Sequence, residues 1–487
     1  MMKDKVKELT KDTAIYGIST IVMRFISFLL TPYYTHVLST ADVGIQGTTY
    51  AYIAFLNIVY LYGMDSAYMK YASLKNEGER RRVFSTPFVF VILSSLVISA
   101  LWIAFRADIN RFMEIPESYS DITYYIVCIL FFDALSVIPF AHLRLIRKAK
   151  KFAIIRAASI MVNVVLNVVL ISVFHLGIKG IFISNVVSSI FTFIILLPDI
   201  IENLELKIDN KTLRSMLRFG LPYLPAGLAS MVIQVIDRPI LQSLTNESVV
   251  GIYNANYKLG IFMMLFVSMF QYAWQPFFLN NAKEENAKEI FSKVLTYFVL
   301  AGSVVLVGIS SFIDVIKFLI GPAFRSGIII IPIVLLGYLF NGIYINFTAG
   351  IFIKEKTKHL PYITGIGALT NIIVNYTLIP YLGMTGAALA TLASYFVMAL
   401  VLFFVMQKFY RIEYEYGKLL RIFISIGIFA AGFYILGGHN LLFKLGLMVL
   451  FFLLLLAFRV INKEEILSVS NMLFKRVLRV PARKSAG

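Results

Sequence analysis

Apolar stretches of about 20 residues recur along almost the whole chain, and a helix of that length crosses a ~30 Å hydrocarbon core. About fourteen such stretches can be read, each bounded by a short polar connection. They predict helices over residues 13–37, 43–69, 84–105, 121–143, 152–174, 178–200, 215–241, 248–279, 291–314, 326–352, 361–380, 385–407, 419–436 and 441–460. Composition agrees: 59% of residues are hydrophobic, 15% are charged and mean hydropathy is +0.80, values outside the range of a soluble domain. The pattern predicts an all-α polytopic membrane protein and excludes a soluble enzyme.

The stretches repeat. Asn163-x3-Asn167, an apolar run and Gly177-x2-Gly180 return about 208 residues later as Asn371-x3-Asn375, an apolar run and Gly383-x2-Gly386. Leu38-Ser39-Thr40-Ala41-Asp42-Val43-Gly44 has a counterpart in the segment from Leu244 to Gly251 once one extra residue is allowed. Two like halves in a membrane are the pattern of a transporter. The expected organisation is a six-helix lobe over 1–210, a second over 211–410, two additional helices over 411–462 and a basic cytoplasmic tail over 463–487.

A net charge of +18 raises the question of nucleic acid, and the position of the cations answers it. Lys and Arg crowd every second connection, as in Lys3–Lys11, Lys70–Arg82, Arg144–Arg156 and Lys354–Lys358, while the alternate connections are nearly bare. That asymmetry predicts a cytoplasmic location for both termini and for the loops around Lys75 and Lys148, with Asp42, Glu117 and Asn246 external. A nucleic-acid surface needs a folded soluble patch, and no segment is long enough to form one.

Other chemistries find little support. Cys128 has no second cysteine to pair with, and five scattered His residues lack ligand spacing, so neither a disulfide nor a metal site is expected. No Gly-rich phosphate loop is present, so no nucleotide hydrolysis and no cofactor are expected. The N-terminus reads as a retained first span rather than a removable signal. The tail, with Leu473 and Phe474 beside Lys475, Arg476 and Arg479, suits either a short amphipathic segment at an anionic membrane surface or a solvated cytosolic tail. Membrane glycan polymerases carry a sizeable extramembrane loop, and the longest outward connection here, Arg106–Ser120, is short.

Function therefore rests on polar groups at membrane depth, where each charge costs a few kcal/mol. Arg24, Arg238 and Lys258 are the candidate cations; Asp65, Asp133 and Asp237 are the anions, candidates for ion coupling or charge balance. Helical spacing puts Tyr16, Thr20, Arg24, Ser27 and Thr31 on one face, Gln234, Arg238 and Gln242 on another, and Asn254, Lys258, Ser268, Tyr272 and Gln275 roughly on a third. Such stripes face protein or water. Two readings are open: Arg24–Asp65 and Lys258–Asp237 brace neighbouring helices, or the cations line a cavity for an anionic substrate, with Gln234, Asn254 and Gln275 beside them. Pro32, Pro139, Pro222, Pro225, Pro239, Pro276 and Pro332 predict kinks.

The segment Asp237-Arg238-Pro239-Ile240-Leu241, followed by Val250-Gly251-Ile252-Tyr253 and Tyr257-Lys258-Leu259, resembles the seventh and eighth helices of the polysaccharide biosynthesis and export proteins, the Wzx-type oligosaccharide flippases. The pattern of Asn371, Asn375, Gly383, Gly386 and Ala387 is similar to that of the wider superfamily, which includes multidrug and toxin extruders and lipid II flippases. The opening, with Arg24, Pro32, Leu38 and Val43-Gly44, extends the resemblance over essentially the whole chain. It implies a V-shaped bundle of twelve helices plus two in the cytoplasmic (inner) membrane. The implied activity is movement of an undecaprenyl-diphosphate-linked oligosaccharide to the outer leaflet by alternating access, without enzymatic chemistry. Partners implied are that lipid, the surrounding membrane lipids and other polysaccharide assembly proteins. A cation-coupled drug extruder is the runner-up; against it stands a cationic cavity suited to an anionic cargo. The lipid II branch tends to carry several basic residues in its first lobe, where only Arg24 is expected at depth.

Overall fold

A computed structural model of the chain describes residues 25–26, 28–74, 77–205, 208–435 and 440–460, with side chains left undescribed at 77–80. Among the described residues there is no β-strand. Helices follow from composition, because in hydrocarbon every backbone N–H and C=O must find its partner within the segment. The first half comprises α1 (28–37), α2 (Thr40–Leu61), α3 (Met64–Ser73), α4 (Glu77–Ala104), α5 (Arg106–Phe112), α6 (Ile122–Leu145), α7 (Ala149–Val168) and α8 (Gly177–Asn203). The second half runs through α9 (Asn210–Gly220), α10 (Tyr223–Val235), α11 (Asp237–Leu244), α12 (Glu247–Lys258), α13 (Ile261–Asn281), α14 (Ala287–Ser311), α15 (Ile313–Ile316), α16 (Ile331–Ile353), α17 (His359–Leu382) and α18 (Met384–Phe409). Then come α19 (Tyr416–Ile435) and α20 (Leu441–Ala457).

Among the described residues, eleven helical segments of 20–32 residues are long and apolar enough to cross a membrane, and α20 is apolar but only 17 residues long. The chain is a multi-pass membrane protein. Three expected spans are interrupted. The stretch 43–69 breaks at Tyr62 and Gly63, both left-handed (φ 34° and 74°). The stretch 215–241 breaks at Leu221–Pro222, where proline has no N–H to continue the ladder, and again at Ile236. The stretch 248–279 breaks at Leu259–Gly260.

The repeated motifs turn out to be local fold signals. Ser39 caps α2 in a reciprocal box with Asp42, and Asn246 caps α12 by accepting from the Val249 N–H at 3.1 Å. Five residues beyond each cap stand Gly44 and Gly251, and these meet. A Cβ on Gly44 would strike the Glu247 carbonyl, and one on Gly251 would strike the Thr40 carbonyl, so the two copies of the motif pack backbone to backbone. In the other echo, Asn167 and Asn375 each donate to the residue four earlier, Asn163 and Asn371, at 2.8 and 2.9 Å. Gly177 and Gly383 then turn the chain with positive φ (55° and 53°).

Contacts group the described chain into two compact units: residues up to Leu279 with Lys317–Tyr410, and Asn280–Ile316 with those from Arg411 on. The first unit holds most of both repeat halves. Its first half is cored by large buried side chains such as Tyr60, Met64, Tyr68, Phe84 and Phe182, and its second by Leu241, Val250, Tyr253 and Val334. The second unit joins α14, α19 and α20, with the buried Lys444 paired to Asp314 at 2.8 Å.

Within the first unit α2 is held by the second half at both ends. Gly44 and Gly63 are 19 residues apart, about 28 Å of helix. At the Gly44 end, Gln242 Nε2 also donates to the Glu114 carbonyl (3.0 Å) and the Gly321 N–H to Thr35 Oγ1 (3.1 Å). At the Gly63 end, a Cβ on Gly63 would lie 2.6 Å from the Gly220 carbonyl oxygen. There Tyr71 Oη donates to the Ser215 carbonyl (3.2 Å) and Lys70 Nζ lies 4.0 Å above the Phe219 ring.

Candidate functional site

Between those two contacts a cavity of about 610 Å³ runs along α2. Its two walls come from the two halves. The first-half wall is built by helices whose inward faces are polar at helical spacing: Gln46, Tyr50 and Asn57 on α2; Asp133 and Ser136 on α6; Arg156, Ser159 and Asn163 on α7; Asn185, Ser188, Ser189 and Thr192 on α8. These groups are linked. Ser189 donates to Asp133 Oδ1 at 2.7 Å, Asn185 to the Tyr50 hydroxyl at 2.8 Å, and Thr192 to Ser159 at 2.8 Å. Tyr34, also lining the cavity, donates to Asn167 at 2.7 Å. Arg156 lies over the Phe140 ring, 4.0 Å from its centroid, and interacts electrostatically with Asp133.

The second-half wall is smaller and differently charged, with Val235 and Arg238 from α10–α11 and Asn254 and Lys258 from α12. Asp237 stands behind it, 1% exposed. Arg238 is anchored there: its Nη1 lies 2.7 Å from Asp237 Oδ1 and 2.5 Å from the Gln234 carbonyl, and its guanidinium covers Tyr257 at 4.5 Å. The second Asp237 oxygen accepts from the Tyr253 hydroxyl. Lys258 has no hydrogen bond and no ion pair among the described residues, and the charge acting on it is the Arg238 guanidinium. With Arg238 balanced by Asp237 and Arg156 set near Asp133, the cavity charge left over among the described residues is that of Lys258.

Of the residues expected from the sequence, the structure brings Arg238, Lys258, Asn254 and Asp133 together on the cavity, with Asp237 directly behind Arg238. Arg24 lies outside the described residues. Gln234 is exposed and bonded to Ser230, and Gln275 is exposed; neither lines the cavity. Asp65 sits on α3, past the Gly63 break, 4.0 Å from Arg144 and away from the cavity lining. The Lys258–Asp237 brace does not form, because Asp237 is taken by its own chain neighbour. Arg156, read from sequence as a loop cation, belongs instead to the cavity wall. The signal was present: Arg156, Ser159, Asn163 and Asn167 recur at i, i+3, i+7 and i+11, one face of α7.

The sequence profile of the family described as polysaccharide biosynthesis protein matches residues 9–282, more than half of the chain. The chain belongs to the polysaccharide biosynthesis protein family. Family members need not share close sequence, and the similarities are distant. An Lsg locus protein of Haemophilus influenzae is 20% identical over 395 residues, covering 77% of this chain and 94% of that one. An uncharacterized membrane protein of Methanocaldococcus jannaschii is 22% identical over 455 residues, covering 86% and 89%. In fold, this polysaccharide biosynthesis protein is similar to the lipid II flippase MurJ in an inward closed conformation, with a TM-score of 0.74 and 18% identity over 95% of this chain and 99% of that one. It is also similar to an inward-facing multidrug resistance transporter of the MATE family, with a TM-score of 0.67 and 12% identity over 81% and 97%. The chain thus shares the all-helical fold of these two transporters.

Proposed function

We propose that this protein is a flippase that moves an undecaprenyl-diphosphate-linked oligosaccharide across the cytoplasmic membrane, with both termini cytoplasmic. The observation that carries the reading is Lys258, an ammonium in the cavity wall with no acidic partner among the described residues, facing a wall of hydroxyls and amides in which Asp133 and Arg156 stand together. A cation at depth is costly unless an anion visits it. A diphosphate supplies about two negative charges and only hydrogen-bond acceptors, which suits an ammonium; the polyprenyl tail stays in lipid. Contacts at both ends of α2 give alternating access its two gates: releasing the Gly63–Gly220 contact admits cargo from one side, releasing Gly44–Gly251 delivers it to the other.

Family membership supports a polysaccharide pathway, and none of these steps makes or breaks a covalent bond. The extruder reading asks for a membrane carboxylate free to exchange a cation. Asp237 is engaged by Arg238 and Tyr253, and Asp133 stands beside the Arg156 charge with one oxygen held by Ser189, so neither is assigned ion exchange and net flow follows consumption of the glycan on the far side. The test is deletion of the gene. Lipid-linked oligosaccharide accumulating on the cytoplasmic leaflet with normal synthesis supports flipping; accumulation of lipid II instead moves the cargo to that branch, and unchanged glycan with lost drug resistance overturns the reading.

A further inference from the structure

Resting on the flippase reading, we infer that the cavity is divided, with the first-half wall forming a subsite for the sugar residues nearest the diphosphate. The division follows from hydrogen-bonding capacity. A diphosphate accepts and never donates, so it is repelled by a carboxylate and gains nothing from a carbonyl oxygen. The first-half wall carries both: Asp133 Oδ2 and Asn185 Oδ1 have no hydrogen-bond donor among the described residues, although the other oxygen or nitrogen of each side chain is engaged. Beside them stand donors with spare capacity, the Arg156 guanidinium and Asn163 Nδ2, and the Asn57 amide makes no hydrogen bond among the described residues. Donors and acceptors interleaved on one wall match a neutral polyhydroxylated ring, each hydroxyl of which both donates and accepts.

The internal bonds of this wall favour the same ligand. Asn163 is positioned by Asn167, itself held by Tyr34, and Asp133 by Ser189, so the free atoms are held in place before cargo arrives. Preorganised polar groups lose less entropy on binding. Asp133 thus serves as a sugar-hydroxyl acceptor rather than an ion carrier, and Lys258 across the cavity holds the diphosphate.

Binding to full-length protein in lipid nanodiscs tests this, with two probes: undecaprenyl diphosphate, and the lipid-linked oligosaccharide extracted from cells lacking this gene. Wild type is expected to bind the glycosylated probe more tightly. Asp133→Asn and Asn57→Ala should each weaken the glycosylated probe about tenfold, the worth of one strong hydrogen bond, and leave undecaprenyl diphosphate within about twofold. Lys258→Gln should weaken both. Asn57→Ala removes no hydrogen bond made among the described residues, so it guards against loss of fold in Asp133→Asn. Equal weakening of both probes by Asp133→Asn and Asn57→Ala, or no weakening of either, overturns the subsite. Wild type that binds both probes equally overturns the subsite while the lipid-carrier reading stands, and wild type that binds neither overturns both.

Discussion

The two walls of the cavity come from the two halves of the chain and meet their charges differently. In the first half, charge is met in place: Asp133 stands with Arg156, and hydroxyls and amides fill the space between. In the second half, Asp237 is taken by Arg238, and Lys258 has no counter-charge among the described residues. The difference teaches that a membrane cation's role is set by whether an acid reaches it first. Arg238 is 7% exposed and anchored by three protein groups, which supports a structural role for it and leaves Lys258 as the proposed contact for cargo.

That contrast can be broken most forcefully at Lys258. Lys258→Gln is expected to abolish complementation, roughly a hundredfold loss of transport or more, with membrane abundance near wild type, while Lys258→Arg keeps part of the activity. A Lys258→Gln protein that disappears from the membrane would place this residue with Arg238. Conversely, Arg238→Gln should act on the fold. Stranding one partner of a buried pair costs roughly 3–5 kcal/mol in soluble proteins, so thermal stability and abundance should fall, and Asp237→Asn in the same chain should restore much of both. Normal stability of the single variant would remove the distinction between the two cations.

The walls face each other with α2 packed against α12. Gly251→Leu places a side chain where the Thr40 carbonyl lies, an overpacking that costs roughly 1–3 kcal/mol and acts on one conformation only. Cysteines introduced near Asn246 should become more reactive to a membrane-impermeant reagent applied outside, and cysteines near Ser215 less reactive to a membrane-permeant one. Unchanged labelling would show that the Gly44–Gly251 contact is not a gate. The same labels test the topology, since a site at Lys148 reached from outside intact cells would invert it.

Much of this architecture was legible in the sequence, and what was not has identifiable causes. The apolar stretches located the helices because hydrocarbon leaves the backbone no alternative. The Asn and Gly echoes suggest a duplication, and in the structure they cap, turn and pack helices, which spacing alone does not distinguish from ligand binding. Lys258, Asn254 and Asp133 were recoverable because charge and amide groups in apolar helices stand out. Arg156 was not, because it lies near a run of loop cations and only its spacing to Ser159 and Asn163 separates it from them. Gln275 was drawn in by a helical spacing that is interrupted at Gly260, and Asp65 by an apolar stretch that is interrupted at Gly63.

The smallest expected effect lies at the Gly44 end. Partial burial of the Glu114 carboxyl and, second, the Glu247 carboxylate push its pKa above the ordinary glutamate value of 4.5. A carboxyl whose folded pKa is raised favours the fold below the unfolded value and loses that contribution as pH rises from about 4.5 upward. Relative to wild type, Glu114→Gln should therefore gain thermal stability between pH 4 and pH 7, by about 1 °C. A shift of the opposite sign would mean that Glu114 is stabilised as a carboxylate there.

The central claim, that the uncompensated Lys258 opposite a sugar-binding wall makes this a carrier of lipid-linked glycan, is tested most directly in proteoliposomes. Purified protein is reconstituted with labelled undecaprenyl-diphosphate-linked oligosaccharide, and the fraction reaching the opposite leaflet is followed with proton and sodium gradients imposed or collapsed. The account predicts protein-dependent flipping that is lost in Lys258→Gln and largely unchanged when the gradients collapse. Flipping that persists in Lys258→Gln, or that requires a gradient and is lost in Asp237→Asn, would contradict it.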